Sequence, residues 1–139
     1  MYEFVQKFHS GWAYITLALL LLAVVNALIG FTGKKEFASK DKKIALFALI
    51  ASHIQLLVGL VLYFVSPKGS NLFGLMDKDS RLTSLEHPLI NLIALTLITI
   101  GWSKHKKLLT SESKYKTFLI FYGLGLLLIL SRIPWKLWL

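Results

Sequence analysis

The sequence predicts an all-α protein, a transmembrane four-helix bundle with both termini on the outer side of the membrane. Hydrophobic residues make up 55% of the 139 residues and the mean hydropathy is +0.63, which is more apolar than an average soluble domain. Residues 11–31 and 44–65 carry no charged side chain. Each run has the roughly 20 residues that a helix needs to cross the hydrocarbon core.

The third and fourth apolar runs, residues 88–102 and 117–131, are shorter and need their flanks to cross a membrane. Thr83 and Glu86 have the spacing of a capping box, which favours a third helix that begins near Ser84. The fourth helix is expected to extend past Arg132. We therefore predict a single membrane domain over residues 1–139, with spans near residues 9–31, 44–65, 84–104 and 117–136.

The distribution of lysines predicts the orientation. The connectors at residues 32–43 and 103–116 hold five lysines each, ten of the sixteen basic residues in the chain. Because positive residues are retained on the cytoplasmic side, both connectors are expected there, in a bacterial cytoplasmic (inner) membrane. The termini and the connector at residues 66–83 then face outward. Aromatic residues near both termini fit an outer interfacial belt: Tyr2, Phe4, Trp12, Trp135 and Trp138.

Several classes of function are disfavoured by composition and by missing motifs. The chain has no cysteine, which excludes disulfides, thiolate zinc sites and iron–sulfur clusters. Nucleic-acid binding is not expected despite the net charge of +9, because the positive-inside rule already explains the lysines. No nucleotide-binding or nucleophile motif occurs, and residues 1–10 lack the basic start of a signal peptide. An electron carrier or a subunit is more plausible than a stand-alone enzyme.

Two histidines are candidate metal ligands. His9 and His87 both open helices that run inward from the outer side, so they are expected at similar depth. Two axial imidazoles at one level of a bundle can hold a haem iron. Below His9, the small residues Thr16, Ala23 and Gly30 recur every seven positions. That stripe could admit a flat ring, or it could simply let helices approach closely.

The remaining polar residues in or near the spans have separate interpretations. His53 lies deep in the second span and is the third candidate ligand or a proton or quinone contact; alternatively, it is a buried neutral histidine bonded to Asn26 or Asn91. Arg132, at the outer end of the fourth helix, could pair with Glu86 or a haem propionate, or extend to water. Lys68 and Arg81 could also meet propionates, and His105, among lysines, is interpreted as interfacial charge.

Three short segments resemble small bacterial four-helix cytochrome b-like inner-membrane proteins. The segments are residues 9–11 (HSG), 52–59 (SHIQLLVG) and 86–88 (EHP), and the resemblance extends to all four spans and to the IPW sequence at 133–135. It implies a haem. A more remote likeness is to one half of haem A synthase, in which histidines open two inward-running helices. The glutamate and the paired histidines of that enzyme are missing, so synthase activity is not expected.

The leading hypothesis is a haem b-binding membrane protein that transfers electrons, with His9 and His87 as axial ligands and His53 as a substitute. Its partners would be the lipid bilayer and either quinone or a larger membrane complex. A cofactor-free accessory subunit, docked through small-residue faces, is the alternative. A proton or solute carrier using His53 and Arg132 ranks last, since no pair of discontinuous helices is evident.

Overall fold

The described part of the chain is entirely helical apart from short connectors. The computed structural model describes residues 2–65, 87–131 and 133. Within them the helices are α1 (Tyr2–Thr32), α2 (Ser39–Val65), α3 (His87–His105) and α4 (Ser111–Ser131). Helix α1 packs against α2 and α4, and α3 packs against α4 and α2. The predicted all-α four-helix bundle is confirmed.

Three of the four described helices are long and apolar enough to cross a membrane. These segments are Glu3–Thr32 in α1, Ser39–Phe64 in α2 and Ser111–Ser131, which is α4. Each overlaps a predicted span, but each begins several residues earlier than the uncharged run, because polar residues can occupy the first turns of a helix near the membrane surface. The predicted capping pair, Thr83 and Glu86, lies outside the described residues.

The outer surface of the bundle is apolar. Large aliphatic side chains are exposed on every helix, for example Leu21, Leu57, Leu92 and Leu127. Soluble proteins rarely expose apolar surface on this scale, because water would drive it to associate. The surface is that expected of a membrane protein in contact with lipid.

The core combines small residues with buried aromatic rings. Tyr115 and Tyr122 of α4 are almost fully buried, and the Tyr122 hydroxyl donates to the Ala45 carbonyl oxygen of α2 at 2.9 Å. A Cβ atom at Gly30 would lie only 2.3 Å from the Tyr115 ring. The stripe of Thr16, Ala23 and Gly30 is buried. The space at Gly30 is therefore filled by the Tyr115 ring. Close packing of helices explains the stripe of small residues better than a slot for a cofactor does.

The two lysine-rich connectors lie side by side at one end of the bundle. The backbone N–H of Phe37 donates to the Ser111 hydroxyl at 2.8 Å, which ties the connector before α2 to the start of α4. Helix α1 ends in a Schellman motif, in which Lys35 N–H donates to the Gly30 carbonyl at 3.0 Å and Lys34 takes a left-handed φ of 51°. Thr110 caps α4 by accepting from Ser113 N–H at 3.1 Å.

Candidate functional site

The structure brings His9 and His87 together at the end of the bundle opposite the lysine-rich connectors. His9 lies near the start of α1, and His87 is the first described residue of α3. Their ring centroids are 6.3 Å apart and the ring planes are inclined by 82°. The two helices are not closely packed neighbours, so the imidazoles meet across the bundle at one depth.

A notch in α2 receives the His9 ring. A Cβ atom added at Gly59 would lie 3.1 Å from His9 Cε1 and 3.7 Å from its Nδ1. One turn earlier, the Gln55 side-chain amide donates to the His9 backbone carbonyl at 2.9 Å. Gln55 and Gly59 share one face of α2 because they are four residues apart. The space left by the glycine therefore lies beside His9, where it fixes the position of the imidazole.

Two buried polar atoms at this position have no hydrogen-bond partner among the described residues. They are the Nδ1 atom of His9 and the Oε1 atom of Gln55. Leaving a buried polar group unpaired costs about 1–3 kcal/mol, so native proteins seldom tolerate it without a ligand, a water molecule or a function. The unpaired atoms mark this end of the bundle as a place where something else can bind.

Asn91 orients His87 from the next turn of α3. Its side-chain nitrogen lies 3.1 Å from His87 Nδ1 and donates to the His87 carbonyl oxygen at 2.6 Å. These two contacts hold the His87 side chain in place from one turn away.

The histidine pair could supply two imidazole ligands to a metal. Imidazole nitrogens bind metals at roughly 2 Å, so two rings whose centroids are 6.3 Å apart are close enough to share one ion. No group of three or more metal-binding side chains occurs in residues 2–65 and 87–131. A haem iron suits two ligands, because the porphyrin supplies the others.

His53 does not join this pair. It is exposed on the outer surface of α2, and its Nδ1 contacts the Leu49 carbonyl oxygen at 2.8 Å. The proposed alternative partners are engaged elsewhere, since Asn26 donates to Asp41 at 2.9 Å and Asn91 contacts His87. The interpretation of His53 as a buried histidine is therefore wrong. Arg132, Glu86, Lys68 and Arg81 lie outside the described residues.

His105 is a buried core residue, so the prediction that it is an interfacial charge is wrong. Its ring packs 4.6 Å from both Trp102 and Phe118 and 5.9 Å from Phe37, measured between centroids. Its Nδ1 contacts the Trp102 carbonyl oxygen. Burial first, and then the charges of Lys42, Lys114 and Lys106, lower the pKa of His105 below its ordinary value.

We expect the stability of the bundle to fall as the pH drops below about 6.5, the ordinary pKa of histidine. A lowered pKa in the folded state means that the unfolded chain binds more protons, so the free energy of unfolding increases with pH. Thermal unfolding in detergent at pH 5 and pH 7.5 measures this slope. In His105→Phe, which keeps a ring in the aromatic cluster, the slope should be shallower; an unchanged slope would assign it to other groups.

The chain matches no protein-family model, no curated protein and no solved structure. Functional evidence therefore comes from the chain's own residues. The strongest is the approach of His9 to His87 together with the unpaired His9 nitrogen. Gln55, Gly59 and Asn91 complete the site, and none of them was predicted to take part. The sequence contained one indication of this arrangement: His87 and Asn91 are four residues apart, about one helical turn, and therefore lie on the same face of the helix.

Proposed function

We propose that the protein binds haem b between His9 and His87 and takes part in membrane electron transfer. The observation that carries the proposal is the 6.3 Å separation of the two imidazole centroids across the bundle. A bound haem would supply one-electron redox chemistry, with a potential set by its ligands and surroundings. The chain supplies the two ligands, their orientation and an apolar environment.

The surrounding residues have distinct parts in holding such a ligand pair. Gly59 leaves the space that the His9 imidazole occupies, and Gln55 fixes the backbone of His9 through its amide. Asn91 holds His87 from one turn away. Preorganisation of this kind lowers the entropy lost when a cofactor binds.

The topology proposed with this function has all four helices crossing a bacterial inner membrane, both termini outside. Helix α3 would use residues preceding His87 to complete its crossing. The positive-inside rule supports the orientation, because the two lysine-rich connectors are neighbours at one end of the bundle. His9 and His87 would then lie near the outer surface, where Arg132 could meet a propionate and quinone or a larger complex could exchange electrons.

The optical spectrum of the detergent-purified protein, oxidised and dithionite-reduced, tests the proposal. After expression with ample haem, we expect a Soret band and the sharp reduced bands of a low-spin b-type centre, because two imidazoles give a strong axial field. A protein purified in folded form without a Soret band, and unable to take up added haem, would refute it.

One observation favours the alternative, a cofactor-free accessory subunit. His53 is exposed in a part of α2, residues 44–64, whose other exposed side chains are apolar, and an imidazole in contact with lipid is unfavourable. A partner helix that covers His53 would remove this cost. Co-purification of a stoichiometric membrane partner with a colourless protein, lost in His53→Leu, would support this function over haem binding.

A further inference from the structure

A basic pocket lies at the opposite end of the bundle from the histidine pair. Its volume is about 290 Å³, and it is lined by Lys42, Lys106, Lys114, Phe37, His105 and residues 38–39 at the start of α2. Among the residues that the structure describes, no acidic side chain lines it. The lining comes from both lysine-rich connectors and from three helices, so the pocket is a product of the tertiary fold.

Aromatic rings hold two of the lysine side chains beside the pocket. The Lys114 ammonium lies 5.4 Å from the centre of the Phe37 ring, and the Lys106 ammonium lies 5.2 Å from that of Trp102. Cation–π contacts of this length are attractive and restrict the side chains. Within the described residues, neither lysine forms an ion pair with a carboxylate, so their charges are available to an anion.

One acidic side chain, Asp41, lies close to the pocket, in the first turn of α2. The nearby carboxylate of Asp41 is directed elsewhere, since it accepts from the Ala38 N–H and from Asn26, both at 2.9 Å. Asp41 lines a separate cavity and is not among the residues that line this one.

We propose that this pocket binds the phosphate headgroup of an anionic phospholipid. A phosphate offers oxygens and negative charge to three ammonium groups, and basic pockets between helices at the ends of membrane spans bind such headgroups. A lipid is favoured over free phosphate because the pocket lies where the apolar helices end. The side chain of Leu109, three residues after Lys106, is 96% exposed, as expected of a residue that enters the acyl region.

Native mass spectrometry of the full chain released from nanodiscs tests the proposal. The nanodiscs contain equal amounts of phosphatidylglycerol and phosphatidylcholine. The wild type should retain phosphatidylglycerol preferentially, and the triple variant K42Q/K106Q/K114Q should retain about tenfold less, since it removes the three ammonium groups that line the pocket and would contact the phosphate oxygens. The matched control K34Q/K43Q/K116Q removes the same charge from exposed positions at this end and should behave as the wild type.

Two single variants provide a test that does not depend on correct folding of the triple variant. Lys42 lines the pocket and its neighbour Lys43 does not, so K42Q should lose phosphatidylglycerol and K43Q should keep it. If the pocket variants and the control variants lose equal amounts of phosphatidylglycerol, the lipid is attracted by the overall positive charge of this end and not by the pocket. That result would overturn the proposal. If inorganic phosphate in lipid-free detergent raises the melting temperature as much as phosphatidylglycerol does, free phosphate is the ligand and the lipid assignment is overturned.

Discussion

His9→Ala and His87→Ala should each abolish the low-spin spectrum of the haem-loaded protein, whereas His53→Ala should leave it unchanged. If His9 and His87 hold a haem as proposed, each of these variants would keep one protein ligand, and the spectrum would become high-spin or the haem would be lost. His53 faces outward from α2 and cannot reach a metal held between the other two rings. Dithionite-reduced difference spectra of the three purified variants measure the effect.

A fourth variant tests whether the fit of the His9 ring against α2 is needed for haem binding. Gly59→Val keeps both histidines, but its side chain occupies the space where an added Cβ would already lie 3.1 Å from the His9 ring. Displacement of His9 should weaken haem binding by roughly 10–100-fold, as changes around a metal ligand commonly do. Loss of the spectrum in His53→Ala alone would exclude the His9 and His87 pair as ligands.

Gly30→Ala should lower the free energy of unfolding by about 1–3 kcal/mol, the usual cost of overpacking a core. The added Cβ would lie 2.3 Å from Cε1 and Cζ of Tyr115, so the buried ring must move. Its hydroxyl donates to the Glu36 carbonyl at 3.1 Å, and movement of the ring would break that bond. Unfolding in mixed detergent and dodecyl sulfate micelles, followed by circular dichroism, measures the change.

Gly123→Ala is the matched control, because a Cβ atom there meets nothing within 4 Å. Both variants gain the helix propensity of alanine, worth about 0.5–1 kcal/mol relative to glycine, so their difference isolates the contact with Tyr115. We expect Gly123→Ala to be as stable as the wild type or slightly more stable. Equal stability of the two variants would show that α1 and α4 separate easily and that Gly30 is not required for their packing.

The positions of the described helices and of the two lysine-rich connectors could be predicted from the sequence because lipid imposes a strong and local rule. A backbone in hydrocarbon must satisfy its own hydrogen bonds, so long uncharged runs form helices. The ends of the helices also depend on local contacts. Thr110 caps the start of α4, and Lys34, in a left-handed conformation, follows the end of α1. Similar depth for His9 and His87 also followed from counting residues along helices that enter from the same side, and their close approach agrees with it.

Which face of each helix turns inward could not be predicted. In a soluble helix, water selects the polar face, but here lipid-facing and core-facing residues are both apolar and the pattern carries little information. His53 and His105 show the consequence, since the residue expected to be buried is exposed and the one expected at the surface is in the core. The contact between Gly59 and His9 could not be predicted for the same reason, because the inward face of α2 was not known from the sequence.

By itself, the sequence determined the helical class, the approximate positions of the described helices, the clustering of lysines in two connectors and the candidacy of His9 and His87. These depend on composition and on distance along the chain. Only the tertiary structure decided that Tyr115 fills the space at Gly30, that Gly59 receives the His9 ring, and that three lysines from separate segments line one pocket. Each of these depends on helix rotation, which is set by the fit of side chains between helices rather than by any single segment.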